Sequence, residues 1–295
     1  MASIDSVSPI TPTRVAHEVS SLLGEVTGAV DIVIAATHPA PESLHRLHRH
    51  MRRLRTGLAL WEALLPVAER ELLHPLDVRI KRLSRLVGRI RDRDITLSLL
   101  QRFDRRKADP EDVLPVERYR TRLREDARTG RELLRAFLRS ERQARLFDDL
   151  AERLRSLPRS GSFSEARRVV QQAEERTLEN LRRARRKAMQ RPTMERLHRL
   201  RIRIRRARQF SDLAVALDPR HHRRFPVVFV RLQKELGDLH DLDMVLVGLE
   251  PDVKVTDWAR SLRKERRRRR RKILEELERL VQVEKKRARA PPKAA

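Results

Sequence analysis

Two stretches of the chain hold side chains suited to binding an anion. Residues 44–55 read LHRLHRHMRRLR and residues 197–208 read LHRLRIRIRRAR. At an offset of 153, His45 falls on His198, His48 on Arg201, Arg52 on Arg205, Arg53 on Arg206 and Arg55 on Arg208. In a helix, positions 0, +3, +7 and +10 lie within an arc of about 80°. The first arc holds His45, His48, Arg52 and Arg55; the second holds His198, Arg201, Arg205 and Arg208. One residue earlier runs a neighbouring apolar arc, Leu44, Leu47, Met51 and Leu54, then Leu197, Leu200, Ile204 and Ala207. An apolar arc of this kind faces a core. An ordinary amphipathic helix keeps its arginines on the far side. Here cations border the buried face twice, as in a partly enclosed anion site.

A second pair of stretches repeats in the same order. LVGRIRDRDI (86–95) matches ELGDLHDLDM (235–244) at an offset of 149, placing Gly88 on Gly237, Arg91 on His240, Asp92 on Asp241 and Asp94 on Asp243. Two motifs recurring at nearly one period mark an internal duplication. Lys81 and Arg85 before the first glycine, Arg231 and Lys234 before the second, and Arg91 and His240 after them are further candidate phosphate contacts. The four aspartates are read as caps of helix starts and as holders of neighbouring arginines, not as metal ligands. His45, His48 and His50 do not make a metal cluster, because His50 lies off the arc and no carboxylate accompanies them. No metal or cofactor is expected.

The elements that must position these residues follow from composition and spacing. At 295 residues the chain can bury a large core. Its 39% hydrophobic and 38% charged residues, with apolar spacing that persists almost throughout, indicate long amphipathic helices. The net charge is +27, and 59 of the 69 cations are arginine, which grips phosphate oxygens in a bidentate fork. A phosphate-rich polyanion is the expected partner. Cysteine is absent, which removes disulfides, thiol nucleophiles and thiolate metal sites. The first residues carry no secretory pattern, and the apolar run 29–36 is interrupted by Asp31 and too short to span a bilayer. A cytoplasmic protein with no membrane association is expected.

Taken in order, residues 1–13 read as a flexible tail. Helices are predicted at about 14–36 and 42–65, the latter carrying the first stripe. His74-Pro75 reads as a loop before a helix from Asp77, and Asp109-Pro110 with Pro115 as another loop. Helices at 116–139 and 141–157 follow. The segment 158–162 is the clearest linker. Beyond it the plan restarts, with a helix at 164–190, the second stripe helix ending near Leu217, and a helix from Asp218-Pro219 through Gly237. Pro251 breaks the chain before a last helix near Asp257. Repeat one thus covers about 14–157 and repeat two about 163–285, with a basic tail at 286–295. The run Lys264–Lys272 lies within the last helix, so its cations point all round.

The His-x-x-Arg-x-x-x-Arg-Arg-x-Arg pattern, followed about 40 residues later by Leu-Gly-x-x-Arg-Asp-x-Asp, resembles the CHAD domain (conserved histidine α-helical domain), with the likeness covering roughly 14–285. The resemblance implies an all-α fold of two helical bundles about a pseudo-twofold axis. It also implies binding of inorganic polyphosphate in a basic central pore and association with polyphosphate granules. Carried over by position, the ligands are His45, Arg52, Arg53 and Arg55 in the first copy and His198, Arg201, Arg205, Arg206 and Arg208 in the second. The sequence departs from the pattern at His48 and His240, where arginine is expected; both replacements can still carry positive charge.

Three function classes compete. A non-catalytic polyphosphate binder would draw on arginine–phosphate pairs and counterion release. Other phosphate-rich polyanions fit the same chemistry. A nucleic-acid binder suits the charge, but 3% aromatics give no stacking platform. A polyphosphate-processing enzyme needs a metal or a nucleophile–base pair, and neither stands at a convincing spacing. The first class is expected.

Overall fold

The computed structural model describes residues 10–102, 110–156, 162–218, 227–249 and 257–289. These form nine helices and no strand: α1 (Pro12–Ala35), α2 (Pro41–Glu62), α3 (Val67–Arg102), α4 (Pro110–Arg139), α5 (Glu141–Ser156), α6 (Phe163–Gln190), α7 (Met194–Leu217), α8 (Val227–Leu249) and α9 (Asp257–Arg289). The all-α expectation holds among the described residues. Most of the linker, the second proline-marked turn at 219, Pro251 and the last residues of the basic tail lie outside them.

Chain contacts divide the protein into two compact units. The first comprises residues 1–98, 120–177 and 206–224; the second comprises 99–119, 178–205 and 225–295. The first unit has a continuous apolar core. Leu44, Leu47, Met51 and Leu54 of α2, all fully buried, pack with Val19 and Val26 of α1 and Ile80, Leu83 and Val87 of α3. Burying each such side chain contributes about 2 kcal/mol, so this column holds α2 in place. In the second unit Leu197, Leu200 and Ile204 of α7 are buried, as are Leu232, Leu236 and Leu239 of α8 and Leu262, Ile273 and Leu277 of α9. Both apolar arcs read from the sequence face inward, Ala207 included.

Several helix limits differ from those read in the sequence. The chain is already ordered at Ile10, which is buried, and the Thr11 side chain accepts the Arg14 N–H at 3.1 Å as the cap of α1. Pro75 interrupts nothing. It lies inside α3, where Leu73, Leu76 and Ile80 are buried on one face and offset the lost hydrogen bond. Pro110 opens α4 as its first residue and Pro115 sits within it. Gly88 and Gly237 also lie within continuous helices. Asp92, Asp94, Asp241 and Asp243 are therefore interior residues of α3 and α8, and cap no helix start.

Candidate functional site

In the first unit α2 and α3 bring the two motifs together. His48, half-buried, lies over Gly88: a Cβ built there would stand 3.4 Å from the imidazole Cε1 and Nε2. No side chain larger than a methyl fits without displacing the ring. One turn away, Arg91 Nε donates to His45 Nδ1 at 3.0 Å, and Arg91 Nη1 donates to Asp92 Oδ1 at 3.3 Å. Burial, together with Arg91, Arg49 and Arg52, holds the His45 pKa below the ordinary histidine value, while Glu42 opposes the shift. His45 therefore sits as a neutral ring among guanidinium groups.

Further along α2, Arg52 and Arg55 are half-buried. Arg55 Nε is buried and makes no hydrogen bond, and Asp77 Oδ1 is 3.9 Å away. A charged donor in that condition is a ready partner for an anion. Lys81 pairs with the same Asp77, one turn before it on α3, and Arg85 is exposed.

The second unit repeats these contacts with other side chains. Gly237 of α8 faces Arg201, whose Nε would lie 3.8 Å from a Cβ on the glycine. His198 Nδ1 is 3.2 Å from His240 Nδ1, with ring centroids 4.4 Å apart. A single proton lies between those two nitrogens, one ring donating and the other accepting. Arg205 is half-buried; Arg206 and Arg208, both exposed, belong to the stretch of α7 counted with the first unit.

The aspartates at the third equivalent position match as well. Arg131 of α4 donates to Asp94 Oδ1 at 2.5 Å, and Arg266 of α9 donates to Asp243 Oδ1 at 2.5 Å. Burial raises the pKa of both carboxyls against the opposing pull of their arginines. They hold arginines, as the sequence indicates, though from helix interiors.

Not every predicted residue joins the stripe. Arg53 points the other way: its Nη1 donates to Glu25 of α1 at 2.5 Å, and the same carboxylate meets His50 Nδ1 at 2.6 Å. One residue past Arg52 is about 100° round the helix, which takes Arg53 off the arc. Arg231 and Lys234 line a separate cavity of about 320 Å³ with Glu235, Lys272 and Glu276, between α8 and α9. Three cations of the α9 run, Arg266, Arg269 and Lys272, are likewise paired with carboxylates of α8, whereas Arg267, Arg270 and Arg271 are exposed.

A family model for the CHAD domain matches residues 19–250. The chain belongs to the CHAD domain family. Among solved structures it is similar to the CHAD domain from the plant Ricinus communis, with a TM-score of 0.63 and 19% identity over 94% of each chain. At that identity the likeness shows the fold alone. No curated protein matches the chain significantly.

This CHAD domain also places residues outside the two motifs beside them. A cavity of about 390 Å³ at the head of α2 is lined by His45 and Arg91 together with Arg46, Arg49, Glu42 and Asp94. Arg49 lies directly beside the arc, a signal present in the sequence, whereas Arg46 is about 100° round the helix from His45 and off the arc. Arg131 and Arg266 carry no such signal, since they enter from α4 and α9. Among the described residues, no group of three or more His, Asp or Glu is placed to hold a metal, and no helix is long and apolar enough to cross a membrane.

Proposed function

We propose that this CHAD domain binds inorganic polyphosphate and acts by binding, without catalysis. The observation that carries the reading is the meeting of cationic or protonatable side chains across two helices in each unit. In the first unit Arg91 reaches His45 at 3.0 Å, and in the second His198 meets His240 at 3.2 Å. Groups that repel one another when protonated and that meet along a cationic stripe favour an anion that joins them. His45, His48, Arg52, Arg55 and Arg91 form one half-site; His198, Arg201, Arg205 and His240 form the other. The family likeness supports polyphosphate as the ligand, and the matched contacts support an origin by duplication.

The same reading places the protein in the cytoplasm, on polyphosphate granules. Arginine-rich half-sites fit other phosphate-rich chains less well than polyphosphate, whose charges follow one another without bases or sugars between them. Labelled long-chain polyphosphate challenged with duplex DNA and single-stranded RNA at low and high salt tests the choice. Polyphosphate should win by orders of magnitude and persist in high salt. Equal competition, with salt releasing all three together, would replace this reading with generic polyanion binding. Replacing Arg52, Arg55, Arg205 and Arg208 by Ala should abolish polyphosphate binding while the helical content survives.

A further inference from the structure

The cationic stripe of α2 stops abruptly. One turn before His45 the stripe position is Pro41, which is uncharged, and Glu42 stands beside it. Here the stripe opens into the 390 Å³ cavity, which His45 and Arg91 share with it. The cavity differs from the stripe in chemistry, because three arginines meet two carboxylates. The Asp94 side chain is nine-tenths buried, its Oδ1 is taken by Arg131, and its Oδ2 has no hydrogen-bond partner. Glu42 is exposed at the mouth, close enough to act on both His45 and Asp94. The second copy ends its stripe with the same pair in the same register, Glu195 and the buried Asp243.

Carboxylates at the end of a phosphate-binding stripe repel a phosphate chain that continues past them. They accept one that ends there with a proton to give. Internal phosphates of a chain carry no proton near neutral pH. A terminal phosphoryl group keeps a second ionisation near pH ~6, as a phosphomonoester does.

We propose that the cavity at the head of α2 caps the terminal phosphoryl group of a linear phosphate chain. Arg46, Arg49 and Arg91 take its charged oxygens, and Glu42 and Asp94 share the proton of its P–OH. This rests on the polyphosphate reading and adds recognition of the chain end. Burial keeps the Asp94 carboxyl above its ordinary range, which brings its proton affinity towards that of the terminal phosphate.

Linear tripolyphosphate and cyclic trimetaphosphate separate the two ideas, because the ring has no terminal phosphoryl group. Their affinities should be measured by calorimetry on the full chain and on Glu42→Gln, an exposed change in the first turn of α2. The cap requires that Glu42→Gln weaken the linear compound and strengthen the cyclic one, changing their affinity ratio by about tenfold. The double variant Arg46→Ala/Arg49→Ala should weaken the linear compound more than the cyclic one. If Glu42→Gln strengthens both compounds equally, the cap is overturned while polyphosphate binding stands. If neither compound nor long-chain polyphosphate binds the unaltered protein, the polyphosphate reading falls with it. AMP has a terminal phosphoryl group but no chain; binding as tight as that of tripolyphosphate, with the same loss in Glu42→Gln, would overturn the assignment to a chain end.

Discussion

Arg91 donates its Nε hydrogen to Nδ1 of His45 at 3.0 Å, so the imidazole presents a lone pair to a guanidinium. That bond requires His45 to be unprotonated at Nδ1, in keeping with a pKa held below the ordinary value by burial and by Arg91, Arg49 and Arg52. An anion entering beside these groups reverses the balance and favours the imidazolium.

Binding of polyphosphate should therefore take up protons. Affinity should rise as pH falls from the His45 pKa of the complex towards the depressed value of the free protein, and level off below it. The free protein should behave oppositely. Above the ordinary histidine pKa His45 is neutral folded or unfolded, and it has no effect on stability. Between that value and the depressed one the unfolded chain binds the proton first, so acidification disfavours folding. Calorimetry in buffers of different ionisation heats reads the uptake, and His45→Gln should reduce it. Unchanged uptake in that variant would remove His45 from the site.

Arg52 and Arg53 are adjacent in sequence and should separate in function. Arg52→Ala should weaken polyphosphate binding strongly, because the side chain lies on the arc with His45, His48 and Arg55. Arg53→Ala should leave binding nearly intact and cost about 0.5 kcal/mol of stability, since it breaks a partly exposed pair with Glu25. Equal loss of binding in both variants would mean that Arg53 leaves Glu25 when the anion arrives.

Arg131→Ala strands Asp94 in the interior. Breaking a buried pair of this kind costs about 3 kcal/mol near neutral pH. Without its arginine the carboxyl pKa rises further, so the folded variant binds a proton that the unfolded chain does not. Its deficit should shrink as pH falls through the raised folded value towards the unfolded one near 3.8. Urea unfolding at several pH values checks the sign. Arg266→Ala should behave in the same way through Asp243.

Gly248 of α8 lies against Tyr119, and a Cβ added there would overlap the phenol oxygen and ring. Gly248→Ala should cost about 2 kcal/mol by overpacking. Combining it with Tyr119→Ala should cost less than the sum of the two single changes. Strict additivity in thermal melts would show that the close contact is absent in solution.

The helices, their buried faces and the two cationic arcs were legible in the sequence because all three depend on local geometry. A turn of 3.6 residues fixes which side chains share a face, and Leu44, Leu47, Met51 and Leu54 reveal the core side without knowledge of what covers it. The proline signals misled where burial outweighed them, as at Pro75 with Leu73, Leu76 and Ile80 around it. What a charge faces is a different matter. Arg53 on Glu25, Lys81 on Asp77 and Arg269 on Asp238 have partners from other turns or other helices. A one-dimensional pattern counts all these cations alike. Only the tertiary structure decided which hydrogen-bond a carboxylate closely and which, like Arg55 at 3.9 Å from Asp77, keep a buried Nε without a hydrogen bond. It alone also set Glu42 and Asp94 beside the end of the first stripe, because that meeting depends on how α2 packs against α3.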